Sequence, residues 1–196
     1  MELCAAMSEP QTDRRIIEAC QQGDRQAFHA LFDAYKDRVY SFALHFLGGD
    51  TASAEDVTQE VFLRLFTRIG QYRNESEFAT WLRRVVANVC IDEQRRRRRF
   101  LPCSEDHLAQ RLQSPEQDIQ RAEVARAVQA ALADLNPDMR ATVLLKHFDD
   151  LSYDEIATAL RCSKGTIASR LHRCHKILAR KLAYLRETGP SEKESC

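Results

Sequence analysis

The sequence predicts an all-α protein: two small helical domains joined by a flexible linker, the C-terminal one containing a helix-turn-helix. Three observations predict it. Apolar residues recur every three or four positions through most of the chain, the period of a helix with one buried face. Strand-like alternation is scarce, and six Gly and five Pro in 196 residues are few for a turn-rich β protein. The periodicity also fails over one internal stretch, Phe100 to Pro115, which carries two prolines, "CSEDH" and no sustained apolar face. That stretch separates two helical units.

Taken in order, Arg14 to Gln22 reads as a first helix stopped by Gly23. Asp24 then caps "RQAFHALFDAYKDRVYSFALHFL", in which Phe28, Leu31, Phe32, Tyr35, Val39, Phe42 and Phe46 share helical spacing, and Gly48-Gly49 ends it. A third helix is expected from about Ser53 to Ile69, with Glu55 and Asp56 in its first turn, where the helix dipole favours acids. The loop "GQYRNESEF" follows. A fourth helix, Phe78 to about Arg98, should bury Phe78, Leu82, Val85 and Val89 and turn Thr80, Arg84, Asn88, Asp92 and Arg95 outward. After the linker, periodicity returns from Glu116 to Leu135 through Ile119, Val124, Val128 and Leu132. A break at Asn136-Pro137 starts a helix from Asp138 to Phe148.

The stretch "LSYDEIATALRCSKGTIASRLHRCHKILARKL" carries the helix-turn-helix spacing. Ser152-x-x-Glu155 is a capping box, each side chain meeting a free backbone N–H at the start of helix Tyr153 to Leu160. A three-residue turn, Arg161-Cys162-Ser163, leads to a second helix capped by Ser163. Ile156, Leu160, Ile167 and Leu171 pack the pair together across the small Ala157, and the second helix should also bury Cys174, Leu178 and Leu182. Lys164, Thr166, Ser169, Arg170, Arg173 and Lys176 are left outward. An exposed helix N-terminal half of this kind can place Ser, Thr and Arg at base edges in a major groove, with Lys and Arg on phosphates.

Charge is segregated. The total is zero, yet every charged residue from Arg161 to Arg186 is basic, Arg95 to Arg99 are five consecutive arginines, and the first ninety-four residues lean acidic. Such a division points to one surface for a polyanion and another for a protein partner. At 44% hydrophobic and 30% charged the chain is globular rather than disordered. It has no membrane-spanning apolar stretch, and "MELCAAMSEPQTDRR" is not a secretory signal, so a cytoplasmic location is expected. Seven widely spaced cysteines without a CxxC read as reduced thiols. His172, Cys174 and His175 point in different directions on one helix, so no metal and no cofactor is expected. With no phosphate-cradling glycine loop, HExxH or nucleophile–base pair, no catalytic residue and no enzyme activity is expected.

"DVTQEVFLRLFTRIGQYRNESEFATWLRRVVANVCIDEQRRR" combines an acid-and-amide helix, a polar loop and a Trp81-led helix ending in arginines. It resembles the second conserved region of bacterial sigma factors, in particular the extracytoplasmic-function (ECF) group of the sigma-70 family. "LSYDEIATALRCSKGTIASRLHR" resembles their fourth region. The resemblance runs from about Ala27 to Leu182 in the right order, with a linker between. It implies a region 2 domain at 14–99, a linker at 100–115, a region 4 domain at 116–186 and a polar tail at 187–196.

The implied function is an alternative sigma factor that binds core RNA polymerase and directs promoter-specific initiation. Asp56, Gln59, Glu60 and Phe62 lie on the helix matching the polymerase-binding element. Arg73, Asn74, Glu75, Ser76, Phe78, Asn88, Asp92 and Arg95 match the part that takes the separated −10 strand, with Arg95 to Arg99 on backbone phosphate. As the single tryptophan on an amphipathic helix, Trp81 is expected in the core rather than as a stacking wedge. Lys164, Gly165, Thr166, Ser169, Arg170, Arg173 and Lys176 match the helix at the duplex −35 element. Ala168 and His175 depart from the basic residues common there. The expected partners are core polymerase, promoter DNA and an anti-sigma protein, with no membrane insertion. The alternative is a helix-turn-helix regulator binding duplex DNA without polymerase docking.

Overall fold

In the computed structural model, side-chain capping sets where most helices start. The structure describes residues 14–73, 77–100 and 119–187. Helix α1 (Arg14–Gln21) ends at the left-handed Gly23. Asp24 Oδ1 then accepts from the backbone N–H of Gln26 at 2.7 Å and of Ala27 at 3.2 Å, opening α2 (Arg25–Phe46). Gly48 and Gly49, both at positive φ, turn the chain toward α3 (Thr51–Arg68). That helix begins two residues before the expected Ser53. Asp50 supplies the cap, accepting from Ser53 N–H at 3.1 Å and its hydroxyl at 2.8 Å. Glu55 and Asp56 therefore fall in the second turn, and Asp50 is the acid at the positive end of the dipole.

A 3-10 turn (Ile69–Gln71) precedes α4 (Phe78–Phe100). Beyond the undescribed 101–118 come α5 (Ile119–Ala133), α6 (Pro137–His147), α7 (Tyr153–Leu160), α8 (Lys164–Lys181) and the short α9 (Ala183–Glu187). Asn136 caps α6 through Met139 N–H, with Pro137 in the first helical position. Both halves of the Ser152/Glu155 capping box form on α7. No strand occurs among the described residues. The expected linker lies almost wholly outside them.

The first unit packs α1 to α4 around Leu31, Tyr35, Phe42, Phe46, Val61, Leu65 and Leu82. Aromatic edges join α2 to α3: Phe28 on Phe66, with ring centroids 5.1 Å apart, and Phe32 on Phe62, at 4.6 Å. The second unit packs α5 to α8 around Leu135, Leu144, Leu145, Ile156, Ile167, Leu171 and Cys174. Two apolar expectations shift. Val85 is half-buried while its neighbour Val86 takes the core position, one residue further round α4. Val124 is exposed, because burial on α5 grows toward its C-terminal end, at Ala131 and Leu132.

The two units are in contact. Helix α4 packs on α6 and α7, and α2 packs on α5 and α6. This is why Thr80, expected to face outward, is buried, together with Arg83. Asp149, in the α6–α7 loop, has its carboxylate almost fully enclosed. Arg38 donates to it from Nε at 3.0 Å and Nη2 at 2.8 Å, and Arg83 Nε lies 3.7 Å away. This cluster borders a small apolar cavity lined by Tyr35, Val39, Phe42, Leu82 and Val86. Arg140 makes a second tie, donating from α6 to the carbonyl of Phe46 at the end of α2.

Candidate nucleic-acid interface

Local backbone chemistry sets the outer face of α8. Arg161, left-handed at φ 50°, closes α7, and Ser163 Oγ accepts from Thr166 N–H at 3.1 Å to open α8. The Thr166 hydroxyl lies 2.8 Å from the same Oγ, so the cap holds it in place. Ser169 Oγ leans back to the Thr166 carbonyl at 2.9 Å. With Ile167, Leu171 and Cys174 buried, Lys164, Gly165, Ser169, Arg173 and Lys176 are exposed, and Thr166 and Arg170 are half-buried. Leu178 and Leu182, expected in the core, are only half-buried toward the far end.

Lys164 Nζ meets Asp154 Oδ2 at 2.7 Å across the turn, both ends well exposed, so the pair costs little to break. Lys181 pairs with Asp134. Ala168 faces solvent. His175, although exposed, has its imidazole turned onto His147.

On α4, Asn88, Asp92 and Arg95 are exposed and follow one another at one-turn spacing. Each charged member already has a protein partner. Asp92 Oδ2 lies 3.4 Å from Arg64 Nη1, and Arg64 Nε donates to Glu60 at 2.6 Å. Desolvation works against the Arg64 charge, but the bonds from Glu60 and Asp92 outweigh it and hold its pKa above the ordinary value. Arg95 reaches Asp138 of α6 at 3.5 Å.

In the arginine run, Arg96 and Arg97 both grip Glu93, and Arg97 also reaches Asp50 at 3.0 Å. Partial burial of Glu93 favours its neutral form, yet the two guanidinium groups outweigh that and lower its pKa. Arg98 and Arg99 remain exposed. Arg73 is exposed, and Asn74, Glu75 and Ser76 lie outside the described residues. Phe78 corrects an expectation. Its ring is buried edge-on against Tyr35 and Tyr72, so it anchors Tyr72 in the core rather than offering a face to a base. Trp81, half-buried, closes the same aromatic cluster at 5.6 Å from Tyr72.

On α3, Asp56 and Gln59 are exposed and Glu60 is half-buried, all on one face. Phe62 is a second correction: it is 5% exposed and packed on Phe32, so it does not share that face. The apolar residue that does is Leu63, seven positions after Asp56 and 62% exposed, with Phe66 beside it at 56%. The sequence carried a signal for this. Val61, Phe62, Leu63, Leu65 and Phe66 cover a wider arc than one core face can bury.

The two halves match known families separately. Residues 31–100 match the family described as Sigma-70 region 2, and residues 125–174 match Sigma-70, region 4. The RNA polymerase sigma-H factor of Pseudomonas aeruginosa is 30% identical over 187 residues, covering 90% of this chain and 96% of its own. The chain belongs to the ECF group of sigma-70 family sigma factors.

The ECF RNA polymerase sigma factor SigE of Mycolicibacterium smegmatis is 35% identical to this sigma factor over 181 residues, covering 90% of it and 70% of the relative. Its fold is shared with the solved structure of CnrH in complex with the cytosolic domain of CnrY, at TM-score 0.66 and 23% identity, covering 91% and 99% of the two chains. The Bartonella quintana sigma factor RpoE, solved with the anti-sigma factor NepR, matches at TM-score 0.63 and 21% identity, covering 80% and 96%. The protein is accordingly a transcription-initiation factor of RNA polymerase. Among the described residues no helix is long and apolar enough to cross a membrane.

Proposed function

We propose that this sigma factor works in the cytoplasm as a promoter-specificity subunit with no catalytic residue of its own. Helix α8 reads the −35 duplex. Helix α4 and the loop before it take the −10 strand once it is separated, and the Asp56–Gln59–Glu60 face of α3, centred on Leu63, docks on core polymerase. An anti-sigma protein, of the kind solved with the Bartonella relative, is its natural antagonist.

The observation that carries this reading is the outer face of α8. Ser169 and Arg173 stand one turn apart in the open, flanked only by basic charges. A helix of ~10–12 Å diameter fits a major groove of about 12 Å, where Arg reads guanine and Ser reads either kind of base. Lys164 and Lys176 flank them at phosphate positions.

The contact between the two units bears on how this happens. Elements about 25 base pairs apart are on the order of 85 Å apart along duplex DNA. Helices α4 and α7 touch, so promoter engagement separates them and breaks the Asp149 and Asp138 ion pairs. The 18 residues between Phe100 and Ile119 reach at most ~60 Å when fully extended, enough to span much of that distance.

The experiment is run-off transcription over genomic fragments with reconstituted holoenzyme. Promoter-dependent transcripts are expected, with Arg173→Ala relaxing or abolishing preference at one −35 position while Lys176→Ala weakens all templates alike. Absence of any promoter-dependent transcript, together with failure to co-purify with core polymerase, would refute the reading.

A further inference from the structure

His147 closes α6, and His175 lies on the exposed side of α8. The two rings meet across the helix pair with Nε2 atoms 3.0 Å apart, centroids 5.3 Å apart and planes inclined at 56°. The contact joins two helices whose buried faces, Leu144 and Leu145 on one and Leu171 and Cys174 on the other, hold them in fixed register. The rings therefore converge from two rigid elements. Among the described residues neither ring has another hydrogen-bond partner.

Two imidazole nitrogens this close can share a proton, one ring donating and the other accepting, or they can share a cation. The distance suits a cation. Metal–nitrogen bonds of ~2.0–2.1 Å place two ligands about 2.9 Å apart when cis at a right angle, and about 3.4 Å apart at a tetrahedral angle. The observed 3.0 Å lies between. Both residues are exposed, so an ion can arrive from solvent and keep water in its remaining positions.

The surroundings fix how many ligands the protein supplies. Asp150 points into solvent and spends one oxygen near Lys146 at 3.5 Å. Cys174, adjacent in sequence, is fully buried in the seam between α6 and α8 rather than at its exposed edge. Its thiol donates to the Met139 carbonyl at 3.6 Å, and burial pushes its pKa up to about 11. Among the described residues no group of three His, Cys, Asp or Glu could surround an ion. The site is a two-imidazole one, which excludes hard, oxygen-seeking cations and favours borderline ions.

We propose that His147 and His175 form a bis-imidazole site for one divalent transition-metal ion of the zinc, nickel or copper class, linking the end of α6 to the basic helix α8. Sequence spacing alone missed it, since His147 is 28 positions away and only the fold brings it to His175. The inference rests on imidazole geometry and stands apart from the promoter assignment.

The test is titration of the full chain with zinc chloride at pH 7.5, followed by calorimetry and by the histidine ring resonances. One equivalent should bind with micromolar affinity, moving the Cε1–H signals of His147 and His175 together. His147→Gln and His175→Gln should each weaken it by about 10–100-fold while leaving metal-free thermal unfolding unchanged, because both side chains are exposed. Two results would overturn the proposal: wild-type zinc affinity in both variants, which would place the ion on cysteines, or no binding up to millimolar zinc, which would leave the pair sharing only a proton.

Discussion

Arg140 is the position where one side chain carries most from both helical units. It is 2% exposed, and its guanidinium donates to four backbone carbonyls. Nη1 reaches Phe46 at 2.6 Å, Nε reaches Leu132 at 2.8 Å, and Nη2 serves Ala133 and, more distantly, Leu135 at 3.4 Å. These carbonyls lie at the ends of α2 and α5, where helices run out of N–H partners and the dipole favours positive charge. The plane also covers the Phe46 ring at 5.4 Å.

Desolvation pushes the guanidinium pKa down to about 10, so it stays charged at neutral pH, and burying that charge costs part of what the bonds return. Arg140→Met keeps the apolar stem and removes every donor. Three short charge-assisted bonds vanish, and each carbonyl left dry costs ~1–3 kcal/mol. Recovery of the charge's desolvation offsets some of this, leaving a net loss of about 3–5 kcal/mol, as for other broken buried charge networks. Against a total stability of ~5–15 kcal/mol that is large. Urea unfolding of the full chain, followed by circular dichroism, should show the midpoint fall at unchanged slope. Arg140→Lys should recover only part, having three donors on a point charge. A loss below ~1 kcal/mol for Arg140→Met would refute the reasoning, because it would mean water replaces the guanidinium without penalty.

Three further outcomes follow from the same structure. Asp149→Asn leaves Arg38 and Arg83 without the carboxylate between them, so the two units should separate, and small-angle scattering should report a larger radius of gyration. Glu155 has its pKa lowered by the hydroxyl and then the N–H of Ser152, so its cap contributes stability above the unfolded value near 4.5 and loses it as pH falls through the lower folded value; Glu155→Gln should flatten the acid side of the stability profile below that point. On α3, Leu63→Ser should leave thermal stability nearly unchanged and reduce co-purification with core polymerase, whereas Phe62→Ala should cost ~3–5 kcal/mol as a core deletion.

Capping residues were the most legible part of the fold, because a cap is local. Asp24, Ser152 with Glu155, and Ser163 all act as their spacing suggested. Asp50 escaped notice because it follows two glycines and looked like part of the turn, though its carboxylate captures Ser53. Burial on α8 was readable as far as Cys174 because α5, α6 and α7 all pack on its one apolar face. On α4 the pattern misled at Thr80, because α6 and α7, far downstream in the chain, cover part of what periodicity marks as the solvent side. Phe62 was drawn toward the surface by its place in a functional motif, and Phe78, whose spacing marked it for the core, was also given a role in the −10 pocket; packing buries both. Arg140 and Asp149 gave no local sign at all. A buried arginine on an amphipathic helix looks like any surface arginine until its carbonyl partners are in view.

Helix α4 is where these observations meet. Its inner side holds Leu82, Val86, Ala87 and Cys90 in the first core, and its upper side seats α7 through Arg83 and Asp149. Asn88, Asp92 and Arg95 are left on the remaining strip, each charged one already tied to a neighbour. Arg95 holds Asp138 at 3.5 Å with both ends exposed, a pair that a phosphate can outcompete at little cost. The Arg38–Asp149 contact is different: enclosed, it must be broken before the units can part. On the roles proposed above, a DNA phosphate takes Arg95 from Asp138 without opening the molecule, whereas parting α4 from α7 requires the enclosed Asp149 pair to let go.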